Sequence, residues 1–122
     1  MPERDSLTEW FHSLAERPDN ELVRLASPEN IAQLQMHVSL STPDYPLPDA
    51  LSSIEFAQAI VEFRRNESAW NKATMAAIIQ AEDLVEAGGN AKAAALLEAF
   101  AASCPWALFK EVALNQATHY RP

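Results

Sequence analysis

Glu67-Ser-Ala-Trp-Asn-Lys-Ala-Thr-Met-Ala-Ala-Ile-Ile-Gln-Ala-Glu-Asp-Leu-Val-Glu-Ala87, then Gly88-Gly89-Asn90, then Ala91-Lys-Ala-Ala-Ala-Leu-Leu-Glu-Ala-Phe-Ala-Ala-Ser-Cys104: this run decides the fold. Trp70, Ala73, Ala77, Ala81 and Leu84 fall in line at helical spacing, and small residues on such a stripe let a second helix come close. The glycine pair, the only glycines in the chain, supplies a left-handed stop and a turn, with Asn90 able to cap the next helix. Leu96, Leu97, Phe100 and Cys104 edge the second helix. Pro105 is expected to open a third, with Trp106, Phe109, Ala113, Ala117 and Tyr120 on its inner face. Arg121-Pro122 reads as a frayed end.

Working back toward the start, residues 49–65 read as a helix with apolar residues on two sides, Leu51, Ile54, Ala57 and Val61 on one and Phe56, Ile60 and Phe63 on the other. Two apolar faces predict neighbours on both. Arg64-Arg65-Asn66 is expected to close that helix, since cations suit a helix C-terminus. Before it, Ser39-Leu-Ser-Thr-Pro-Asp-Tyr-Pro-Leu-Pro-Asp49 places three prolines close together and enforces a loop. Residues 33–41 are ambiguous. Ile31, Leu34 and Val38 fit a helix, while Leu34, Met36, Val38 and Leu40 alternate with polar residues as in a half-buried strand. The reading adopted is helix to about residue 37 with an extended exit. Ser27-Pro28 starts that helix in the N-cap and first-turn positions. Ser6-Leu-Thr-Glu9 has the form of a capping box ahead of Leu7, Trp10, Phe11 and Leu14, and Pro18 ends the first helix before a short one carrying Leu22, Val23 and Leu25.

The expectation is therefore an all-α, single-domain bundle of six or seven short helices with an Ala-rich antiparallel C-terminal hairpin. An acidic N-terminal part (1–41) is joined by a Pro-rich loop (42–49) to a larger helical part (50–120). At 122 residues, 48% hydrophobic and 21% charged, a core is attainable without disulfides or metal.

The net charge of −8 disfavours direct contact with nucleic acid, which needs clustered Lys and Arg, and with anionic membranes. It suits a basic protein partner. Residues 1–62 hold eleven acidic and three basic side chains, and the remainder is neutral. The acidic half is either a solvated face or a partner-binding face. Cys104 is the single cysteine, so no intramolecular disulfide forms. The start shows no basic and apolar leader and no run long enough to span a bilayer, so a cytoplasmic location is expected. The Ala-rich faces also leave a homo-oligomer open.

Residues 76–105 resemble one tetratricopeptide-type helical hairpin. Gly88, Ala93, Leu97 and Pro105 stand at that family's turn, small, bulky and closing-proline positions, with Ala81 and Leu84 in the first helix. Ala77, Gln80 and Phe100 depart from the pattern, and no second copy is present. The resemblance implies binding of a peptide or helix, not catalysis.

Sites of chemistry are not expected. Glu9-x-x-His12 has the spacing of a di-iron ligand pair, but its counterpart Gln116-x-x-His119 lacks the carboxylate such a site needs. Cys104 reads as a small buried hydrophobe, Glu82, Asp83 and Glu86 as a solvated helix face, and Trp10, Trp70 and Trp106 as core anchors. No catalytic, cofactor or metal residue is assigned. The candidate partner-binding residues are Asp19, Glu21, Asp44, Tyr45, Leu47 and Asp49. Tyr45 and Leu47 either form an interface hot spot on a stiff loop or pin that loop to the core. The function expected is non-enzymatic: an acidic stoichiometric inhibitor of immunity or antitoxin type that masks a basic protein. The alternatives are a TPR-like adaptor or chaperone and, last, a small helical enzyme or metal-binding bundle.

Overall fold

A computed structural model describes residues 4–121. The chain is an all-α bundle of six helices in the described residues: α1 Arg4–Ala15, α2 Asp19–Arg24, α3 Pro28–Ser41, α4 Ser53–Glu86, α5 Asn90–Ser103 and α6 Ala107–Tyr120. No strand occurs among the described residues. Packing defines two compact units, residues 1–66 and 67–122, with α4 contributing its first half to one and its second half to the other.

In the first unit α1 packs on α3. Leu7, Phe11, Leu14, Leu22, Leu34, Phe56, Ile60 and Phe63 form its interior, each such side chain contributing about 1.5–3 kcal/mol by leaving water. Ser27 caps α3 as its sequence implies, accepting from the Asn30 N–H at 3.1 Å behind Pro28. The helix then runs to Ser41, past the expected exit at 37. The alternation of Leu34 to Ser41 is incidental. Leu34, His37, Val38 and Ser41 are the buried residues, and they follow helical spacing. Helical period thus overrides an apparent period of two, and a strand here would have had nothing to pair with.

Two other expectations fail in this part of the chain. Ser6 is not an N-cap, because α1 is already helical from Arg4. The chain's reciprocal capping box lies instead at Ser52-Ser-Ile-Glu55. There the Ser52 N–H donates to Glu55 Oε1 at 2.9 Å, and the Glu55 N–H donates to Ser52 Oγ at 3.1 Å. Arg64-Arg65-Asn66 does not end a helix. α4 continues for 34 residues, since none of those residues is a Gly or Pro and C-terminal charge alone does not stop a helix.

The second unit is built from the rest of α4 with α5 and α6. Ala77, Ala81, Ala93, Ala94, Leu97, Ala101, Ala113 and Ala117 make one buried cluster, with Phe100, Leu84 and Tyr120 around it. The turn before α5 is a Schellman motif. Gly88 sits at φ +84°, its N–H donates to the Val85 carbonyl at 2.9 Å, and the Gly89 N–H donates to the Leu84 carbonyl at 2.7 Å. Gly89 is the N-cap of α5 and Asn90 its first helical residue, so Asn90 is not the cap. Likewise Trp106 caps α6 and Pro105 stands just ahead of it. Trp106 is buried, whereas Trp10 and Trp70 are half-buried, Trp70 lying edge-on to Phe100. Arg121 is held by the Glu98 carboxylate; Pro122 lies outside the described residues.

Candidate functional site

The first half of α4 has more apolar surface than its neighbours cover. Phe56, Ala57, Ile60 and Phe63 face inward, but Ile54 is 62% exposed and Val61 36% exposed. This corrects the expectation for Ile54 and Val61, while Ala57, on the same side, is buried as expected and Leu51 is half-buried. A single helix cannot bury two faces when the second partner is the six-residue α2. The result is an open groove of ≈ 540 Å³ between α2 and α4. Val23, Ile54, Ala57 and Val61 form its apolar floor, and Asp19, Gln58, Glu62, Arg65 and Asn66 its polar rim. Ile54 and Val61 are two turns apart, about 10.5 Å along the axis at 1.5 Å per residue.

The Pro-rich loop borders a second groove of ≈ 220 Å³, lined by Gln35, Val38, Ser39, Pro43, Tyr45, Leu47 and Asp49. The loop has no regular structure yet is tied at several points. The Gln35 side-chain amide donates to the backbone carbonyls of Asp49, at 2.5 Å, and Pro48, at 3.4 Å. The Tyr45 N–H donates to the Thr42 carbonyl at 3.0 Å. The Tyr45 ring stands edge-on to Phe63, centroids 5.1 Å apart, and so pins the loop to the core. Its hydroxyl is hydrogen-bonded to Asn66, on the rim of the larger groove. Burial first, and the nearby Glu62 carboxylate second, push that hydroxyl's pKa up, so it stays a neutral donor and acceptor.

Of the residues singled out from sequence, Asp19 therefore lies on the rim of the larger groove, and Tyr45, Leu47 and Asp49 line the smaller one. Tyr45, through Asn66 and Glu62, links the two. Glu21 is half-exposed and salt-bridged to Arg17 one turn back. Asp44 is exposed and lines neither groove. What the sequence reading missed is the floor itself, Ile54 and Val61, and the aromatic packing beneath Tyr45. His37 is 1% exposed, stacked on Phe11 at 4.7 Å and edge-on to Phe63 at 5.7 Å. Its place three residues after Leu34 and four before Ser41 on the inner face of α3 was the available signal.

The other chemistry-bearing residues are dispersed. His12 lies 3.5 Å from Arg64 Nη1, not beside a carboxylate cluster. Cys104 is 5% exposed, near the Trp106 carbonyl, and burial raises its thiol pKa, which opposes thiolate formation. Among the described residues no three His, Cys, Asp or Glu side chains converge as metal ligands would, and no helix is long and apolar enough to cross a membrane. No protein-family model, curated protein or solved structure matches the chain.

Proposed function

We propose that this chain is a non-enzymatic, acidic protein-binding protein, a stoichiometric inhibitor of immunity or antitoxin type that masks a basic partner in the cytoplasm. The observation that carries this reading is the coincidence, in one unit, of charge and open apolar surface. Residues 1–66 hold eleven acidic and five basic side chains, a net −6, and the same unit contains the groove floored by Ile54 and Val61 and rimmed by Asp19 and Glu62. Uncovered apolar side chains supply affinity by leaving water on association. Surrounding negative charge supplies fast capture and selection against acidic competitors. The loop at 42–49 adds a rigid edge, since its prolines and the Tyr45–Phe63 contact leave little entropy to lose on binding.

The test is affinity capture from the native cell extract with the wild-type chain and with a variant carrying Asp19→Lys, Glu21→Lys, Asp44→Lys and Asp49→Lys. A basic protein retained in 1:1 ratio by the wild type, and lost with the variant or at high salt, is expected. A partner retained equally by both would defeat the proposal.

A second reading, a TPR-like adaptor or chaperone that binds a peptide or helix, is favoured by one observation in the other unit. Met75 and Ile79, one turn apart on α4, are 51% and 55% exposed, while Ala93 and Leu97, at positions of the repeat resemblance, are fully buried. That reading predicts that Met75→Asp abolishes partner capture while the acidic substitutions leave it unchanged.

A further inference from the structure

We propose that the groove between α2 and the first half of α4 receives an amphipathic helix of the partner, with apolar anchors over Ile54 and Val61 and a Lys or Arg flank against Asp19 and Glu62. This rests on the protein-binding proposal and names the element that would be bound. The floor is one helix face, two turns long, with Val23 across from it. A third helix laid along such a furrow packs side chain between side chain, in the ordinary manner of helix on helix. Anchors seven residues apart on the incoming helix match the Ile54–Val61 spacing.

The competing occupants fit less well. The described residues contain no strand and so no sheet edge for an extended peptide to pair with. A small apolar molecule would leave the floor wet, because Ile54 stands 62% exposed along an open side. A second copy meeting the groove through its own acidic unit, at net −6, would bring like charge against Asp19 and Glu62. Cationic flanks are selected because Asp19 and Glu62 border the apolar strip and outnumber the one cation on its rim, Arg65, and a charge at that edge remains partly solvated while still paired.

The probe is a synthetic peptide of about fourteen residues, four helical turns, with Leu at heptad-spaced positions and Lys on the flanks. Two controls accompany it, one with every Lys replaced by Gln and one with a central Pro that breaks the helix. Binding to the full chain is followed by methyl resonances. The Lys peptide is expected to shift Val23, Ile54 and Val61, and Ile54→Asp to weaken it by roughly tenfold or more, with the same expected of Val61→Glu. Both side chains are exposed enough for the fold to persist, checked by an unchanged melting temperature. The Pro peptide should bind far more weakly.

Absence of binding at millimolar peptide, equal binding by the Pro peptide, or indifference to both groove variants overturns the inference. So does concentration-dependent self-association that shifts the same methyls. Salt-sensitive binding that ignores the groove variants but is lost in the Asp19/Glu21/Asp44/Asp49 reversal removes the groove and leaves the acidic-face reading standing. Equal binding by the Gln peptide removes the cationic element from both.

Discussion

Gly88 offers the sharpest test of how the second unit is built. It holds φ +84°, a conformation that costs an L side chain about 1–2 kcal/mol. A Cβ added there meets nothing within 4 Å, so Gly88→Ala loses no packing, and its effect is purely one of backbone conformation. Alanine also narrows the unfolded ensemble, which offsets about half a kcal/mol of that cost. The net expectation is about 1 kcal/mol of lost stability. With an m-value of about 2 kcal/mol/M in urea, the midpoint falls by roughly 0.5 M. Gly88→Asn, a residue that tolerates the left-handed region, should lose about half as much. Gly89→Ala is a different perturbation. Its new Cβ would lie 3.2 Å from the Leu84 carbonyl oxygen, the acceptor of the Gly89 N–H, so its cost comes from crowding that hydrogen bond. Urea unfolding monitored by circular dichroism reads all three. If Gly88→Ala leaves the midpoint unchanged, or Asn and Ala are equal, the left-handed stop is not what ends α4.

Other named contacts carry equally definite outcomes. Ser52→Ala removes the cap of α4 and should cost about 1 kcal/mol, measured by the same unfolding curves. Glu55 is the other half of that box, and the Ser52 backbone N–H, then the Ser52 side chain, hold its pKa below the ordinary 4.5. Because the folded value is the lower one, its stabilisation is complete above pH 4.5 and lost as pH falls through the folded pKa. The stability difference between wild type and Glu55→Gln should accordingly vanish in acid. Tyr45→Phe keeps the ring on Phe63 but deletes the hydroxyl bonded to Asn66, and should cost about 0.5–1.5 kcal/mol, whereas Tyr45→Ala should also release the loop, seen as faster amide exchange at residues 43–49. Ser68→Pro separates a continuous α4 from two helices. Inside a helix it costs about 3 kcal/mol or more, while in the first turn of a new helix it would be nearly neutral, and thermal melts against Ser68→Ala decide between them.

Much of the bundle was legible in the sequence because its signals are local. The Gly88-Gly89 turn, the Ser27-Pro28 start and the inner stripe Trp106, Phe109, Ala113, Ala117 each state their structure in a few residues. What misled was information that only packing supplies. Residues 34–41 carry both periods, and the choice falls to what lies opposite them, the helix α1. The dipeptide Arg64-Arg65 looks like a helix end in isolation, yet no residue there breaks the backbone ladder. The groove was illegible for the same reason. Ile54 and Val61 have the spacing of core residues, and only the shortness of α2 leaves them open. In the loop, prolines fix a path that places Tyr45, Leu47 and Asp49 along one groove. Asp44 and Glu21 stand out in the sequence by charge alone, which carries no geometric information.

The proposal that the acidic unit captures a basic protein is tested most directly by the association rate of the purified pair as a function of ionic strength. For the wild-type chain the rate should fall by about tenfold or more between low salt and roughly 0.15 M. For the variant reversed at Asp19, Glu21, Asp44 and Asp49 it should be slow throughout and nearly flat. Rates that are equal in the two proteins and indifferent to salt would contradict it.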